Sequence, residues 1–225
     1  MAHTFDPNKT YGFFFKGDFD NYFLGHQMEE IFKTRLYAKY LENKKDAVVL
    51  DVGGNIGSFS LYASKYAKQV YTLEPSLEHF ENINYMLNFN EIKNVKPIQK
   101  ALYIEDKPFP FFHNNNKTMY SLHQAVNDNS SQPETVMAVT LPTLFKEEGI
   151  THIDLMKLDI EGSEYEVIGS KSFADVADKI DCIIGESHAW SGRNPNQLRD
   201  SFRNNGFEFQ WFPHDAQLFI AQRKK

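Results

Sequence analysis

Residues 48–61 read VVLDVGGNIGSFSL, and this stretch decides the fold. Its first half belongs to AVVLDV at 47–52, a short β-branched run without alternation, the pattern of a strand buried on both faces. Gly53, Gly54 and Gly57 follow, in a turn that enters SFSLYASKYA (58–67), which reads as a helix. Glycine suits such a turn because its backbone angles exclude a Cβ and because a ligand can then approach the main chain. A dinucleotide site asks for G-x-G-x-x-G and a Walker loop for G-x-x-x-x-G-K-[ST]. Neither spacing occurs here.

The pattern is D-x-G-x-N-x-G, which places the acid Asp51 beside the glycine loop. Next to a pyrophosphate it would set two anions together, whereas next to a cation it is favourable. S-adenosylmethionine carries an ammonium and a sulfonium and no phosphate, so Asp51 suits it and a dehydrogenase is demoted. Glu74 closes the next strand, QVYTLEP (69–75), where an exposed strand-end position is expected. A carboxylate there can accept hydrogen bonds from both hydroxyls of a ribose, worth roughly 1.5–3 kcal/mol each.

Outward from this loop, strand and helix alternate. SLEHFENINYMLNFN (76–90) reads as a helix, VKPIQKAL (95–102) as one strand, HIDLMKLDI (152–160) and DCIIGES (181–187) as further buried strands. Asn194 before Pro195 starts a helix that Gly206 stops. FEFQWF (207–212) and QLFIAQR (217–223), joined by turn residues, read as a closing hairpin. This rhythm predicts an α/β fold with right-handed crossovers and a mainly parallel sheet ending in an antiparallel hairpin. Residues 103–140 interrupt it as an insertion of short extended pieces, and residues 1–44 form an aromatic arm followed by a helix over 26–42, both expected to pack on a domain spanning 45–225.

In HIDLMKLDIEGSEYEVI, Lys157, Asp159, Glu161 and Glu164 fall at or just beyond the strand's carboxyl end, the edge where open α/β sheets bind ligands. Glu161 and Glu164 read as solvated acids at a helix start, Glu164 above all. Asp159 reads as part of the buried strand pattern, where an unpaired carboxylate is expensive. Asp159, Glu186 and His188, at the ends of neighbouring predicted strands, are the candidate catalytic residues.

The chain resembles the FkbM family of S-adenosylmethionine-dependent methyltransferases. The resemblance rests on VVLDVGGNIGSFSLYA, YTLEPS, the KAL at 100–102 and LMKLDIEGSE, in that order, and covers about residues 45–170. It implies a seven-stranded class I (Rossmann-like) sheet whose last strand is antiparallel, and O-methylation, commonly of sugar or natural-product hydroxyls. By motif position, Asp51, Gly53, Gly54, Asn55 and Gly57 would line the methionine end, Glu74 would hold the ribose, and the backbone at Ala101 and Leu102 would border the adenine. The insertion and the arm, with Phe13–Phe15, Phe109, Phe111, Phe112 and Tyr120, would select the acceptor.

A hydroxyl acceptor needs its proton removed, and Asp159, Glu186 and His188 are placed to do so. A divalent metal on Asp159 and Glu186 is the less favoured reading. A cofactor-binding module or partner subunit without turnover is the alternative function. Composition narrows the partners: 24 basic against 30 acidic residues, net charge −6, argues against nucleic acid, as does the lack of N-P-P-Y or D-P-P-Y after the 152–160 strand. No apolar run nears the ~20 residues of a membrane span. The single cysteine, Cys182, fits a reducing cytoplasm. A homo-oligomer is left open.

Overall fold

The computed structural model describes residues 31, 36–42, 44, 46–113, 120–122, 133–188, 193–212 and 215–224. Strand β1 (Ala47–Val52) lies inside a seven-stranded sheet. On one side it pairs in parallel with β2 (Ala67–Leu73), which pairs with β3 (Val95–Ile98). On the other it pairs in parallel with β8 (Leu155–Leu158), which pairs with β9 (Cys182–Glu186). The chain then forms β10 (Phe207–Phe212) and returns as β11 (Asp215–Arg223), which inserts between β9 and β10 and runs antiparallel to both. The expected parallel sheet with its closing hairpin is therefore present.

Both faces of this sheet are covered, which explains why β1 is apolar throughout. Leu50 and Val52, with Met156 and Leu158, face a layer containing Phe173, Phe202, Phe207 and Phe219. Ala47 and Val49, with Val70 and Leu155, face the opposite layer, where Phe59 and Leu61 of helix α2 (Ser58–Ser64) pack. Burying a side chain of this size contributes about 1.5–3 kcal/mol, so a polar substitution on either face is costly. The first layer also receives α7 (Pro195–Asn204), started as expected by Asn194, whose side chain accepts from the Asn196 amide. Of the N-terminal region, α1 (Ala38–Leu41) is described, and the ring of Tyr37 just before it packs at a tilt against Phe59, with centroids 4.5 Å apart. Residues 26–30 and 32–35 of the expected helix, and Phe13–Phe15, lie outside the described residues.

Three readings are corrected. The run 95–102 is two strands: β3 joins the main sheet, while β4 (Ala101–Leu102) turns away to a second, four-stranded sheet. Pro97 lies on an edge strand, where its missing N–H leaves no gap in the ladder, and pairing with β2 ends at Ile98. The second sheet, ordered β4-β7-β5-β6, takes its other strands from the 103–140 segment: β5 (Pro108–His113), β6 (Tyr120–Ser121) and β7 (Glu134–Val139).

Helix α4 (Leu141–Glu148) stands where no helix was expected. Its signals are nonetheless local: Thr140 caps the Thr143 amide, Pro142 occupies the first turn, and Gly149 ends it at φ 65°. Finally, β8 spans Leu155–Leu158 rather than 152–160, so Asp159 lies past the strand and its side chain is one-third exposed. Ile153 keeps a single bridge to Ile180, because the strand bends away at Asp154, which accepts from Val48 N at 2.9 Å.

Candidate active site

The turn after β1 has positive φ at Gly53 (82°) and Asn55 (49°). A Cβ on Gly53 would lie 1.8 Å from the Asp159 carbonyl oxygen, and one on Gly54 would lie 2.4 Å from Thr72 Cγ2. Gly53 thus lets the loop lie directly against the residue after β8, and Gly54 lets it lie against β2. Gly57 leads into α2.

Beneath the loop, Asp51 is fully buried. Its Oδ2 accepts from Ser60 Oγ at 2.6 Å, and its Oδ1 lies 3.6 Å from Lys157 Nζ. Burial pushes the Asp51 carboxyl up, against the pull of Lys157 and the Ser60 hydroxyl. Lys157 donates to the Gly53 carbonyl at 2.9 Å and also lies 3.5 Å from Asp159. One ammonium therefore ties β1, the glycine loop and the end of β8 together.

Glu74 corrects an expectation. It is 5% exposed rather than solvent-facing, and its two oxygens accept from the amides of Asn55 (2.7 Å) and Ser76 (2.8 Å). Burial pushes its carboxyl up to about 8 despite these bonds. Glu74 lines a cavity of about 590 Å³, open to solvent, with Gly53, Asn55, Ala101, Leu102 and Asp159 among its other walls. Phe111 and Leu122 of the insertion close one side. A second cavity of about 380 Å³ lies across the loop, bordered by Tyr37, Gly54, Ser58, Phe59 and Lys157. Asn55 and Asp159 border both.

Past Asp159 the acids do not behave as solvated helix-start residues. Glu164 is fully buried at the start of α5 (Glu164–Gly169), and its carboxylate accepts from the Ile160 and Gly162 amides. His188 Nδ1 lies 2.9 Å from the same carboxylate. Its Nε2 lies 3.3 Å from Glu161 Oε2 and 3.9 Å from Asp159 Oδ1. The hydrogen bond and charge of Glu164, with Glu161 and Asp159 behind it, push His188 up to about 10 although burial opposes this.

Burial and the neighbouring Asp159 push Glu161 up to about 8. Among the described residues, Asp159, Glu161 and His188 present one donor atom each, all within 4.8 Å of one another. Glu186, paired with Asp159 in the less favoured metal reading, ends β9 half-buried and is not in that group. Glu164 corrects the reading of a solvated acid: with Val167 and Ile168 it occupies the buried face of α5.

A nucleoside with an amino-acid tail fits this arrangement. Among the described residues, Asn55 Oδ1 and Ser163 Oγ are buried without a hydrogen-bond partner, and both residues line the larger cavity. Glu74 holds each oxygen with one amide, leaving a further lone pair on each for a diol.

The sequence from 51 to 209 matches the model of the methyltransferase FkbM domain. The chain belongs to the FkbM methyltransferase family. The match spans the glycine loop, Glu74, the insertion and the Asp159–His188 region together. The FkbM domain is 23% identical over 212 residues to methyltransferase sdnD of Sordaria araneosa, covering 78% of this chain and 81% of that protein. It is 26% identical over 222 residues to the AMB antimetabolite synthetase AmbE of Pseudomonas aeruginosa, covering 80% of this chain but spanning only 10% of that protein. Methyltransferase FkbM from Methylobacillus flagellatus KT shares the fold at a TM-score of 0.52, with 11% identity over 83% of this chain and 46% of that one. The strand order β3-β2-β1-β8-β9-β11-β10 is that of a class I S-adenosylmethionine-dependent methyltransferase.

Proposed function

We propose that this FkbM domain methylates a hydroxyl of a sugar or small natural-product-like acceptor. The observation that carries the reading is Asp159 standing between two cavities, one containing Glu74 and closed by the insertion, the other bordered by Lys157. S-adenosylmethionine supplies an activated methyl group on a sulfonium. Glu74 accepts from the ribose hydroxyls, and the backbone of Ala101 and Leu102 borders the base. Gly53, Gly54 and Asn55 border the amino-acid end, while Asp51 and Gly57 support the loop from below.

The protein's main contribution is alignment, worth up to about 7–11 kcal/mol when the reacting atoms are held in line. Proton removal adds about 10²–10⁴-fold. Among Asp159, Glu186 and His188, Asp159 is the group that borders both cavities, so it takes the acceptor's proton. His188 has Nδ1 engaged by Glu164 and Nε2 turned to Glu161 and Asp159, so it holds these acids in place. Phe111 offers a flat wall for the acceptor. The name of AmbE, an antimetabolite synthetase, supports a small-molecule acceptor, and that of sdnD supports methyl transfer.

Among the described residues no helix is long and apolar enough to cross a membrane. A cytoplasmic location belongs to the same proposal, resting on the lone Cys182. Calorimetry with S-adenosylhomocysteine, followed by transfer of labelled methyl to a panel of hydroxyl compounds, tests the reading. Binding with turnover supports it, binding without turnover favours a module that has lost catalysis, and no binding overturns it.

A further inference from the structure

We propose that Asp159, Glu161 and His188 are the ligands of a divalent first-row cation of the Mn²⁺ class, bound in the wall of the larger cavity. The proposal deepens the reading of that site and rests on it for the neighbouring cofactor. The donors are one imidazole nitrogen and two carboxylate oxygens, a mixed set that suits manganese better than the all-oxygen shell of magnesium. From metal–ligand distances of ~2.1 Å, neighbouring donors should stand about 3 Å apart and opposite ones about 4.2 Å. His188 Nε2 is 3.3 Å from Glu161 and 3.9 Å from Asp159.

The surroundings are those of a held ligand set. A metal-bound histidine normally gives its second nitrogen to a carboxylate, which fixes the tautomer and the ring. Glu164 does this at 2.9 Å, and the Ile160 and Gly162 amides lock its own carboxylate. Glu161 keeps a left-handed backbone at φ 51°, unfavourable for a residue with a Cβ and maintained only where surrounding contacts enforce it.

Two further observations point to a missing ligand. Ser163 is 1% exposed, lines the cavity beside Glu161, and its Oγ has no hydrogen-bond partner among the described residues. Glu161 Oε2, equally hidden, makes no hydrogen bond even though Nε2 is near.

Charge agrees. Asp159, Glu161 and Glu164 crowd the one imidazole of His188, and a dication held among them would favour their ionised forms. Binding releases the proton on Nε2 to solvent, while Nδ1 keeps its proton toward Glu164. A hydroxyl bound to the cation is acidified, so a carboxylate such as the second oxygen of Asp159 suffices to take its proton. The other ligand-spaced group, His152 with Asp154 and Asp181, is already served by Lys44 at 3.1 and 3.7 Å.

Electron paramagnetic resonance of Mn²⁺ titrated into the metal-stripped full chain tests the site, with S-adenosylhomocysteine binding measured on the same samples. One saturable Mn²⁺ site is expected, weakened at least tenfold by Glu161→Gln and by Asp159→Asn and unchanged by His152→Ala. Two ligand variants are used so that either can serve if the other fails to fold. No saturable binding, binding indifferent to both ligand variants, or binding lost in His152→Ala overturns the proposal. If S-adenosylhomocysteine binds while Mn²⁺ does not, the cation site alone falls. If Mn²⁺ binds at these ligands while S-adenosylhomocysteine does not, the cation site stands and the methyltransfer reading falls.

Discussion

Asp51 and Lys157 are register partners on adjacent parallel strands, and the ammonium of one lies 3.6 Å from the buried carboxylate of the other. Lys157 is 9% exposed and donates to the Gly53 carbonyl, so the same charge that balances Asp51 also anchors the loop. Lys157→Met should therefore cost about 3–5 kcal/mol by leaving a buried acid unpaired. Adding Asp51→Asn should restore much of that loss. Urea denaturation of the two single variants and the double variant measures the coupling, and additive effects would show that the pair does not act as one.

Glu74→Ala should weaken S-adenosylhomocysteine binding by about 1–3 kcal/mol, because the ribose hydroxyls lose their carboxyl partner. The amides of Asn55 and Ser76 lose their partner as well, so the melting temperature should fall, not stay constant as for an exposed acid. Calorimetry and a thermal melt read the two effects separately. Unchanged affinity would remove Glu74 from the site.

Stability should fall as pH rises from about 4.5 to about 8. Glu74 has a folded value of about 8 against the ordinary carboxyl value of 4.5, so in that window the folded chain holds a proton that the unfolded chain has released. The contribution is fully present below 4.5 and lost above 8. His79, 3.9 Å away, and the more distant Asp51 and Lys157 modulate it. Denaturation across this range should show a smaller slope in Glu74→Gln. An identical slope would assign the effect to another group.

Gly53→Ala should disrupt the loop, since the new Cβ would meet the Asp159 carbonyl at 1.8 Å and φ is 82°. The backbone strain alone is on the order of 1–3 kcal/mol. A lower melting temperature together with loss of S-adenosylhomocysteine binding is expected. Full binding in the variant would mean that the loop and the end of β8 can separate without consequence.

Ser121 Oγ donates to the Glu161 carbonyl at 2.6 Å, fastening β6 of the insertion to the loop after β8. Ser121→Ala removes a bond worth about 0.5–1.5 kcal/mol. It should raise KM for the acceptor roughly 2- to 10-fold and leave cofactor affinity unchanged. A change in cofactor affinity alone would place the insertion against the cofactor rather than the acceptor.

Local pattern was sufficient wherever a residue's neighbours in the chain dictate its state. The unbroken apolar run of β1, the glycines after it, Asn194 before Pro195, and Glu74 at the end of β2 all follow from backbone preference and burial along a short segment. Helix α4 was equally legible in Thr140, Pro142 and Gly149. Tertiary structure decided what depends on distant partners.

The run from Val95 to Leu102 divides between two sheets because β7, some 35 residues further on, captures Ala101 and Leu102. Glu164 is buried rather than solvated because the Ile160 and Gly162 amides and His188, 24 residues away, compensate its charge. Asp51 can lie fully buried because β8 brings Lys157 beside it. A buried charge is tolerable only where a partner meets it, and sequence spacing alone does not reveal partners that the fold brings together from far apart along the chain.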